Sequence, residues 1–299
     1  MRALISGIAG FTGRYLAEEL AGAGYEVFGL AHREPSFSSH YVSRVVVCDL
    51  TDVAQVRKAV EEAQPNIVAH LAAISFVPHE NAETIYRTNL LGTRNILEAL
   101  LPLASLIRSV LLASSANVYG NAKAGCLDEE TSPAPANDYA VSKLAMEYVA
   151  RLYMNRLPII IARPFNYTGR GQAEHFLIPK IVAHARRRAS FIELGNLDVA
   201  RDFSDVRMIV NCYRRLTESP ASVGGTFNVC SGKVYTLRDV LSLVQKISGH
   251  RMEVRVNPAF VRENEVKILY GSRARLESVL GKVDDVPFDE TLRWMLQDD

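Results

Sequence analysis

Apolar residues in the first half of the chain fall into short continuous runs, and between these runs they recur at helical spacing. Six runs predict strands, at residues 3–5, 26–30, 45–48, 66–71, 110–113 and 158–163. Short apolar runs of this kind are typical of strands that helices cover on both faces. The repeated alternation of strand and helix therefore predicts an α/β fold, a doubly wound parallel sheet with helices on both faces.

The regular alternation ends near Phe165. Beyond it the pattern predicts a helix at 178–188 and short strands at 192–194, 198–203 and 253–256. A further strand at 227–230 is expected to return to the main sheet. We therefore expect the later segments to form a smaller, discontinuous cap over the carboxyl ends of the strands.

The first strand runs into a glycine-rich turn that precedes a helical pattern. Gly7, Gly10 and Gly13 are spaced three apart, with Phe11 and Thr12 between the last two. Glycines permit a tight turn and let a pyrophosphate approach backbone amides at the positive end of the helix. The strand–turn–helix context predicts a dinucleotide-binding loop at these five residues. The alternative is a purely structural turn from strand to helix.

The residues after the second and third strands bear on which dinucleotide binds. An acidic residue after the second strand would bind the ribose hydroxyls of NAD, but the chain has His32 and Arg33 there. Arg33 could pair with the 2′-phosphate of NADP, so NADP(H) is favoured and NAD(H) is the alternative; Arg33 could also be a plain surface residue. Asp49 and Leu50 follow the third strand near the expected adenine edge, and Asp52 is a candidate N-cap.

Small residues after the fourth strand would let a cofactor lie against the backbone. Leu71, Ala72 and Ala73 are assigned to the cofactor site on this ground. Asn89, in a long helix predicted at 84–101, is also assigned to the cofactor site, and its amide could reach across to neighbouring loops. His70 is interpreted as structural.

A Tyr–Lys pair at a spacing of four is the main candidate for chemistry. Tyr139 and Lys143 fall in a run of good helix formers, so both side chains rise from one helix face. A Lys ammonium beside a phenol would lower the Tyr pKa from its usual value of about 10 and make Tyr139 a proton donor or acceptor. Ser115 follows the fifth strand, where its hydroxyl could hold a carbonyl against Tyr139. Alone, the pair could be a coincidence of an amphipathic helix.

Charge and composition argue against several classes of partner. The chain has 299 residues, with 34 Lys plus Arg against 33 Asp plus Glu, which gives no bias toward nucleic acid or anionic membranes. No apolar run approaches the roughly 20 residues that span a bilayer. Cys48, Cys126, Cys212 and Cys230 are far apart and the N-terminus shows no secretory pattern, so we expect free thiols in the cytoplasm. The histidines lack metal-ligand spacing, so no metal site is expected.

Taken together and in this order, the glycine turn, the Asp49–Asp52 segment, Ser114–Ser115 and Tyr139 with Lys143 resemble the extended short-chain dehydrogenase/reductases that modify nucleotide sugars. The resemblance covers essentially the whole chain. It implies a Rossmann domain of residues 1–166 plus about 203–232, and a nucleotide-sugar-binding domain of about 167–202 plus 233–299. It also implies a catalytic triad of Ser115, Tyr139 and Lys143, with Tyr139, Lys143 and Pro164 also at the cofactor.

The resemblance is strongest to the GDP-mannose branch of the family, in segments 163–166, 195–203, 228–232 and 262–266. It implies NADPH-dependent reduction of the C4 keto group of GDP-4-keto-6-deoxy-D-mannose to GDP-D-rhamnose. Dehydratases of the family carry an acidic pair after the Ser or Thr, whereas this chain has Ala116 and Asn117. The substrate residues implied are Ser115, Asn117, Asn166, Lys180, Arg201, Arg262 and Glu265.

Other activities and assemblies stay open at this point. A nucleotide-sugar 4-epimerase with tightly bound NAD would use the same three residues, and a GDP-mannose 4,6-dehydratase is a further alternative. A non-catalytic dinucleotide-binding regulator would normally lose part of the triad, and all three residues are present here. The resemblance also implies a homodimer joined through a four-helix contact.

Overall fold

A parallel seven-stranded sheet is the centre of the protein in the computed structural model, which describes residues 1–34, 40–75, 81–120, 125–260 and 267–297. The strands of these residues are β1 (Arg2–Ser6), β2 (Glu26–Ala31), β3 (Arg44–Val47), β4 (Ile67–His70), β5 (Ser109–Ala113), β6 (Cys126–Leu127), β7 (Ile159–Pro164), β8 (Asn166–Thr168), β9 (Phe191–Leu194), β10 (Ala200–Asp205), β11 (Thr226–Val229), β12 (Val234–Thr236), β13 (Glu253–Val256) and β14 (Ile268–Gly271). The main sheet has the order β11-β7-β5-β4-β1-β2-β3. The predicted α/β fold is confirmed.

Helices cover both faces of this sheet and also build the cap. They are α1 (Phe11–Gly22), α2 (Val53–Ala63), α3 (Ala82–Tyr86), α4 (Thr93–Leu100), α5 (Asp138–Arg151), α6 (Leu177–Arg186), α7 (Val206–Glu218), α8 (Leu237–Ser248), α9 (Ala274–Leu280) and α10 (Phe288–Leu296). A π turn, Arg87–Gly92, joins α3 to α4, so the single helix predicted at 84–101 is interrupted. Asp52 caps α2 as predicted, since its carboxylate accepts the amides of Ala54 and Gln55.

Successive residues of the central strands feed two separate cores because side chains alternate across a strand. In β1, Ala3 and Ile5 pack with α1 and α7, whereas Leu4 packs with α2, α4 and α5. The other central strands follow the same alternation. Burial on both faces explains why these strands read as continuous apolar runs in the sequence.

The order of the strands reverses between β1 and β4, which pair in parallel with Ser6 opposite His70. In such sheets, ligands bind beyond the carboxyl ends of the strands at the point of reversal. The glycine turn after β1 and the segment after β4 meet at this point. The topology therefore places the candidate site before any side chain is considered.

The cap consists of short strands around a third core. β12, β10, β14 and β6 form one small sheet, to which β8 adds beside β10, and β9 pairs with β13. Ile181, Phe203, Val240 and Leu292 are among the buried residues between α6, β10, α8 and α10. Strands of two to four residues such as β6, β8, β12 and β14 are too short to leave a periodic signal, and the sequence did not reveal them. The division into two domains stays a prediction.

Candidate active site

The glycine turn between β1 and α1 is shaped by close backbone contacts. Gly7 has φ +75°, and a Cβ atom there would lie 2.9 Å from the Cα atom of Ala72. A Cβ atom at Gly13 would lie 2.3 Å from the Gly7 carbonyl oxygen, to which the Gly10 amide donates at 2.9 Å. Among the described residues, no side chain caps α1. The turn therefore presents bare backbone at the positive end of a helix, an arrangement suited to phosphate.

The two side chains within this turn face the cap. Thr12 Oγ1 lies 2.7 Å from the Tyr167 hydroxyl. The rings of Phe11 and Tyr167 stack with their centroids 6.2 Å apart. Because Tyr167 lies in β8, which pairs with β10, the glycine turn is joined directly to the small sheet of the cap.

The residues predicted to bind the adenosine end of a dinucleotide lie at the carboxyl edge of β2 and β3. His32 and Arg33 follow β2 and are exposed, and Leu50 is buried after β3. The Asp49 carboxylate accepts the amide and the hydroxyl of Thr51, each at 2.8 Å. These hydrogen bonds, together with the nearby His32, hold the pKa of Asp49 below its usual value. The structure thus brings the four predicted residues to one edge of the sheet.

A chain of hydrogen bonds fixes the segment after β4 against β1. The Ala72 amide donates to the Ser6 hydroxyl at 3.2 Å, and this hydroxyl lies 2.6 Å from His70 Nδ1. His70 Nε2 lies 2.9 Å from the Thr93 hydroxyl, which itself donates to the Asn89 carbonyl at 2.6 Å. Since the Thr93 proton goes to Asn89, His70 Nε2 is the donor to Thr93, and Nδ1 accepts from Ser6. Burial lowers the pKa of His70 to about 3, so the ring is neutral and structural, as the sequence indicated.

Asn89 reaches across to neighbouring segments with its amide, as the sequence indicated. Its carboxamide oxygen accepts the Ile74 amide at 2.8 Å, and its nitrogen donates to the Ile74 carbonyl at 3.1 Å and to the Ser142 hydroxyl at 3.0 Å. Both amide hydrogens are used, and none is left for a ligand. Asn89 ties the segment after β4 to α5, and its assignment to the cofactor stays a prediction. The Ser142 hydroxyl in turn donates to the Tyr139 carbonyl at 2.7 Å.

Ser115, Tyr139 and Lys143 meet at the carboxyl end of β5. The Ser115 hydroxyl is hydrogen-bonded to the Tyr139 phenol and accepts the Asn117 amide at 3.1 Å. Lys143 is buried one turn along α5 from Tyr139, and its ammonium donates to the Ala113 carbonyl at 2.7 Å. The structure therefore assembles the three residues that the sequence singled out for chemistry.

The pKa of Tyr139 differs from the expectation. Burial raises the pKa of Tyr139 to about 12, although the hydrogen bond from Ser115 opposes the shift. Burial also lowers the pKa of Lys143 to about 8. The expected lowering of the Tyr139 pKa by Lys143 is therefore absent from this arrangement, in which the ammonium bonds the Ala113 carbonyl.

The structure separates the candidate substrate residues into two groups. Asn166 follows β7 at the sheet edge, and its side-chain nitrogen is buried without a hydrogen-bond partner among the described residues. Lys180 lies in the cap, where its ammonium donates to the Glu193 carbonyl at 2.7 Å and stands 4.2 Å from the centroid of the Phe260 ring. Asn166 therefore lies at the same edge of the sheet as Ser115, Tyr139 and Lys143, whereas Lys180 lies in the cap.

Two further assigned residues, Arg201 and Pro164, lie in the cap and at the end of β7. Arg201 in β10 donates to the carbonyls of Ala200 and Lys267, at 2.9 and 3.0 Å. Pro164 is buried at the end of β7 beside β11. Arg262 and Glu265 lie outside the described residues.

Sequence reasoning missed the polar residues that support the triad. In the sequence, Tyr167 lies in a segment without a strand or helix pattern, and no neighbouring residue indicates a functional role for it. Glu147 and Arg163 form a buried ion pair. A signal for that pair exists, because Arg163 interrupts an apolar strand and Glu147 falls one turn after Lys143 on the same helix face.

The described residues contain no group of three or more His, Cys, Asp or Glu that could hold a metal ion. A search of the same residues for a helix long and apolar enough to cross a membrane finds none.

Comparison with known proteins identifies a family that agrees with the residues of the site. The family described as GDP-mannose 4,6-dehydratase matches residues 4–295. The chain belongs to this family. GDP-6-deoxy-D-talose 4-dehydrogenase of Aggregatibacter actinomycetemcomitans is 35% identical over 284 residues, covering 94% of this chain and 92% of that protein. GDP-6-deoxy-D-mannose reductase of Pseudomonas aeruginosa is 32% identical, covering 99% and 96%.

Solved structures agree with the fold. A protein of Burkholderia cenocepacia described provisionally as an epimerase is 51% identical, with a TM-score of 0.92 and coverage of 99% of this chain and 96% of that one. RMD of Pseudomonas aeruginosa in complex with NADPH is 31% identical, with a TM-score of 0.85 and coverage of 99% and 97%. UDP-glucose 4-epimerase of Thermus thermophilus in complex with NAD is 28% identical, with a TM-score of 0.87 and coverage of 99% and 98%.

These findings confirm the resemblance to the nucleotide-sugar branch of the extended short-chain dehydrogenase/reductases. The protein is an enzyme of the nucleotide-sugar oxidoreductase family.

Proposed function

We propose that the protein reduces the C4 keto group of GDP-4-keto-6-deoxy-D-mannose to GDP-D-rhamnose, with NADPH as the reductant. The observation that carries this proposal is the convergence of Ser115, Tyr139 and Lys143 beside the glycine turn, in a chain whose relatives are named for GDP-linked 6-deoxy sugars. A carbonyl reduction needs one proton donor and one hydride donor. In this proposal Tyr139 is the proton donor, and the glycine turn fits the dinucleotide that carries the hydride.

The residues of the glycine turn fit a nicotinamide dinucleotide. Any side chain at Gly7 or Gly13 would fill the space between the turn and its neighbours, and the uncapped start of α1 suits a pyrophosphate. NADP(H) is preferred because the two residues directly after β2 are His32 and Arg33 rather than an acid, and because RMD of Pseudomonas aeruginosa binds NADPH. NAD(H), which the Thermus thermophilus epimerase binds, is the alternative. When bound, the nicotinamide supplies the hydride.

Tyr139 is the proton donor in this proposal, because its phenol and the Ser115 hydroxyl are hydrogen-bonded to each other at the sheet edge. The substrate carbonyl oxygen accepts from both groups, so that Ser115 polarises the carbonyl while Tyr139 transfers its proton. The Lys143 ammonium has two further hydrogens beyond the one it donates to Ala113. Its positive charge stabilises the phenolate that remains after the transfer.

The substrate is held from both sides of the site in this proposal. On the sheet side, Asn166 offers a buried amide nitrogen that has no partner among the described residues, and Asn117 lies two residues after Ser115, to which its backbone amide donates. On the cap side, Lys180 and Arg201 offer cations that match a diphosphate. Arg262 and Glu265 are proposed as further ligands from the resemblance alone.

A second candidate product has the opposite configuration at C4. The relative at 35% identity is named for GDP-6-deoxy-D-talose, and 6-deoxytalose differs from rhamnose only at C4. Both sugars come from the same ketone by hydride delivery to opposite faces of the ring. The reductase proposal thus contains two stereochemical outcomes, and the first is our choice on the resemblance of the cap segments.

The test is to follow reduced nicotinamide by absorbance with purified protein, NADPH, and GDP-mannose that a dehydratase has first converted to the 4-keto-6-deoxy sugar. Rapid loss of NADPH that is absent with untreated GDP-mannose supports the proposal. Proton NMR couplings at C4 of the product then distinguish rhamnose from 6-deoxytalose. Interconversion of intact nucleotide sugars without net use of NADPH would replace the proposal by the epimerase. Formation of the keto sugar from GDP-mannose would replace it by the dehydratase.

We also propose a homodimer through the face formed by the π turn and α5. Exposed apolar side chains on this face are Leu91 in the π turn, Val141 and Tyr148 in α5, and Leu152 directly after α5, which is 74% exposed. Sedimentation of the purified protein tests this, and a monomer at micromolar concentration would reject it.

A further inference from the structure

A buried ion pair lies directly beneath the candidate site. The side chains of Glu147 in α5 and Arg163 in β7 are 1% and 3% exposed. Arg163 binds the carboxylate with two nitrogens: Nε lies 2.9 Å from Oε1 and Nη2 lies 2.6 Å from Oε2. A buried pair of this kind is weak evidence for stability, because the desolvation of both charges offsets much of their attraction. Its position suggests another use.

Each member of the pair holds one end of the segment that carries Ser115. The Ser114 hydroxyl donates to Glu147 Oε1 at 2.5 Å. Arg163 Nη1 donates to the Tyr119 hydroxyl at 2.9 Å, and that hydroxyl donates to Asn228 at 2.7 Å. Ser115 caps the short helical turn Ala116–Tyr119 that lies between these two anchors. The ion pair therefore fixes the turn at both ends.

Glu147 also carries the negative charge nearest to Lys143 on their shared helix. Burial lowers the pKa of Lys143 to about 8, and the charge of Glu147 opposes that shift. Tyr139 shares the helix with Lys143, His70 on β4 interacts with the ammonium but is neutral, and Arg163 on β7 is bound to Glu147. Glu147 is the one acid among these groups, so protonation of Lys143 depends on it.

We propose that Glu147, held by Arg163, is a positioning residue of the active site, which fixes the Ser115 turn and supplies the negative charge that keeps Lys143 an ammonium. This inference rests on the proposed function, because it assigns Lys143 a role in stabilising the Tyr139 phenolate. A purely structural pair would hold the turn but would leave the titration of Lys143 unchanged.

The experiment measures the titration of Lys143 directly, by NMR of protein labelled with carbon-13 at the lysine ε-carbon. The signal of Lys143 is assigned by its loss in Lys143→Arg. In Glu147→Gln the midpoint falls by about one pH unit, since the charge is removed and the shape is kept. Where NADPH oxidation is measurable, the alkaline limb of kcat moves down by the same amount while KM changes less than twofold. An unchanged midpoint would overturn the proposal.

The matched control is Glu26→Gln. Glu26 pairs with Arg2 at 3.1 Å at the opposite, amino edge of the sheet, and both side chains are exposed. The Lys143 midpoint and the pH profile keep their parental values in this variant. A shift of the same size in Glu26→Gln would reject the local charge effect.

Glu147→Gln leaves Arg163 buried without a counter-charge, which can unfold a protein. The double variant Glu147→Gln with Arg163→Gln removes both charges, and its midpoint also falls because Glu147, one turn from Lys143 on α5, is the charge that raises the pKa of Lys143. Ser114→Ala removes only the hydrogen bond, so kcat falls about tenfold and the Lys143 midpoint stays. An unshifted midpoint in the folded double variant contradicts the proposal. A shifted midpoint in a protein that reduces no keto sugar retains the charge assignment and rejects the proposed function instead.

Discussion

In the seven-stranded sheet, the candidate functional side chains end in buried polar networks, whereas in the cap they end on backbone carbonyls and an aromatic ring. Ser115 and Lys143 are buried beside the Glu147–Arg163 pair. Lys180 bonds a backbone carbonyl and lies over Phe260, whose side chain is exposed. The sheet therefore fixes the geometry of the chemistry, and the cap offers cations that can exchange their partners for a ligand.

The difference follows from what each region must do. Proton transfer is sensitive to small errors of position, so its groups need support that water cannot displace. Recognition of a flexible diphosphate sugar tolerates side chains that move. The predictions below test residues of the sheet region first and a residue of the cap last.

Tyr139→Phe should have the largest effect. Loss of the proton donor is expected to lower kcat by about 10³-fold, while NADPH binding measured by fluorescence titration changes little. Tyr148→Phe is the matched control, since Tyr148 lies on the same helix and is 57% exposed, and it should keep its turnover. Loss of NADPH binding in Tyr139→Phe would show that the residue serves the cofactor site rather than proton transfer.

Gly13→Ala tests the backbone contacts of the glycine turn after β1. The new Cβ atom would lie 2.3 Å from the Gly7 carbonyl oxygen, so the turn must open. We expect NADPH affinity to fall at least about tenfold and the free energy of unfolding to fall by about 1–3 kcal/mol. Gly22→Ala, at the other end of α1, meets no atom within 4 Å and should be neutral or stabilising. Equal losses in both variants, by denaturant unfolding, would contradict the assignment of the turn.

The buried His70 makes the free energy of unfolding depend on pH. The unfolded ring binds a proton below its ordinary pKa of 6.5, but the folded ring does so only near pH 3, so stability is complete above pH 6.5 and is lost as the pH falls. Between pH 6.5 and 5 this linkage lowers the free energy of unfolding by about 2 kcal/mol. His70→Gln, which is less stable at neutral pH, should lack that part of the decrease in urea unfolding at the two pH values. The same decrease in both proteins would assign the acid sensitivity to other groups.

Lys180→Met should have the smallest effect, and it tests whether the cap recognises the substrate. Removing one charged contact to the diphosphate is expected to raise KM for the keto sugar about tenfold with kcat nearly unchanged. Lys246→Met, an exposed lysine of α8 in the same cap, is the control and should leave both constants alone. A fall in kcat at constant KM would move Lys180 from substrate recognition to the chemical step.

Much of the sheet half could be predicted because its signals are local. Buried parallel strands read as apolar runs, and glycine spacing with a following helix marks the turn after β1. Tyr139 and Lys143 are one helical turn apart, so their proximity needs no tertiary information. The cap was harder, since strands such as β6, with two residues, carry no period, and its contacts join segments far apart in the chain.

The roles of polar side chains were the least predictable feature. The sequence indicated that the amide of Asn89 reaches neighbouring loops, but it did not specify Ile74 and Ser142 as the partners. The pKa of Tyr139 was expected to be lowered by Lys143, and burial raises it instead. Both outcomes depend on where neighbouring elements place donors and exclude water, and sequence spacing does not specify this.

The sequence by itself determined the α/β class, the glycine turn, the helix that carries Tyr139 with Lys143, and the family. Each of these depends on residue type and on spacing within a single element. Tertiary structure alone decided the order of strands that brings β1 beside β4, the joining of Thr12 to Tyr167, and the pairing of Glu147 with Arg163 under Ser115. These depend on contacts between distant segments, whose energies come from burial and hydrogen bonding that exist only once the chain has folded.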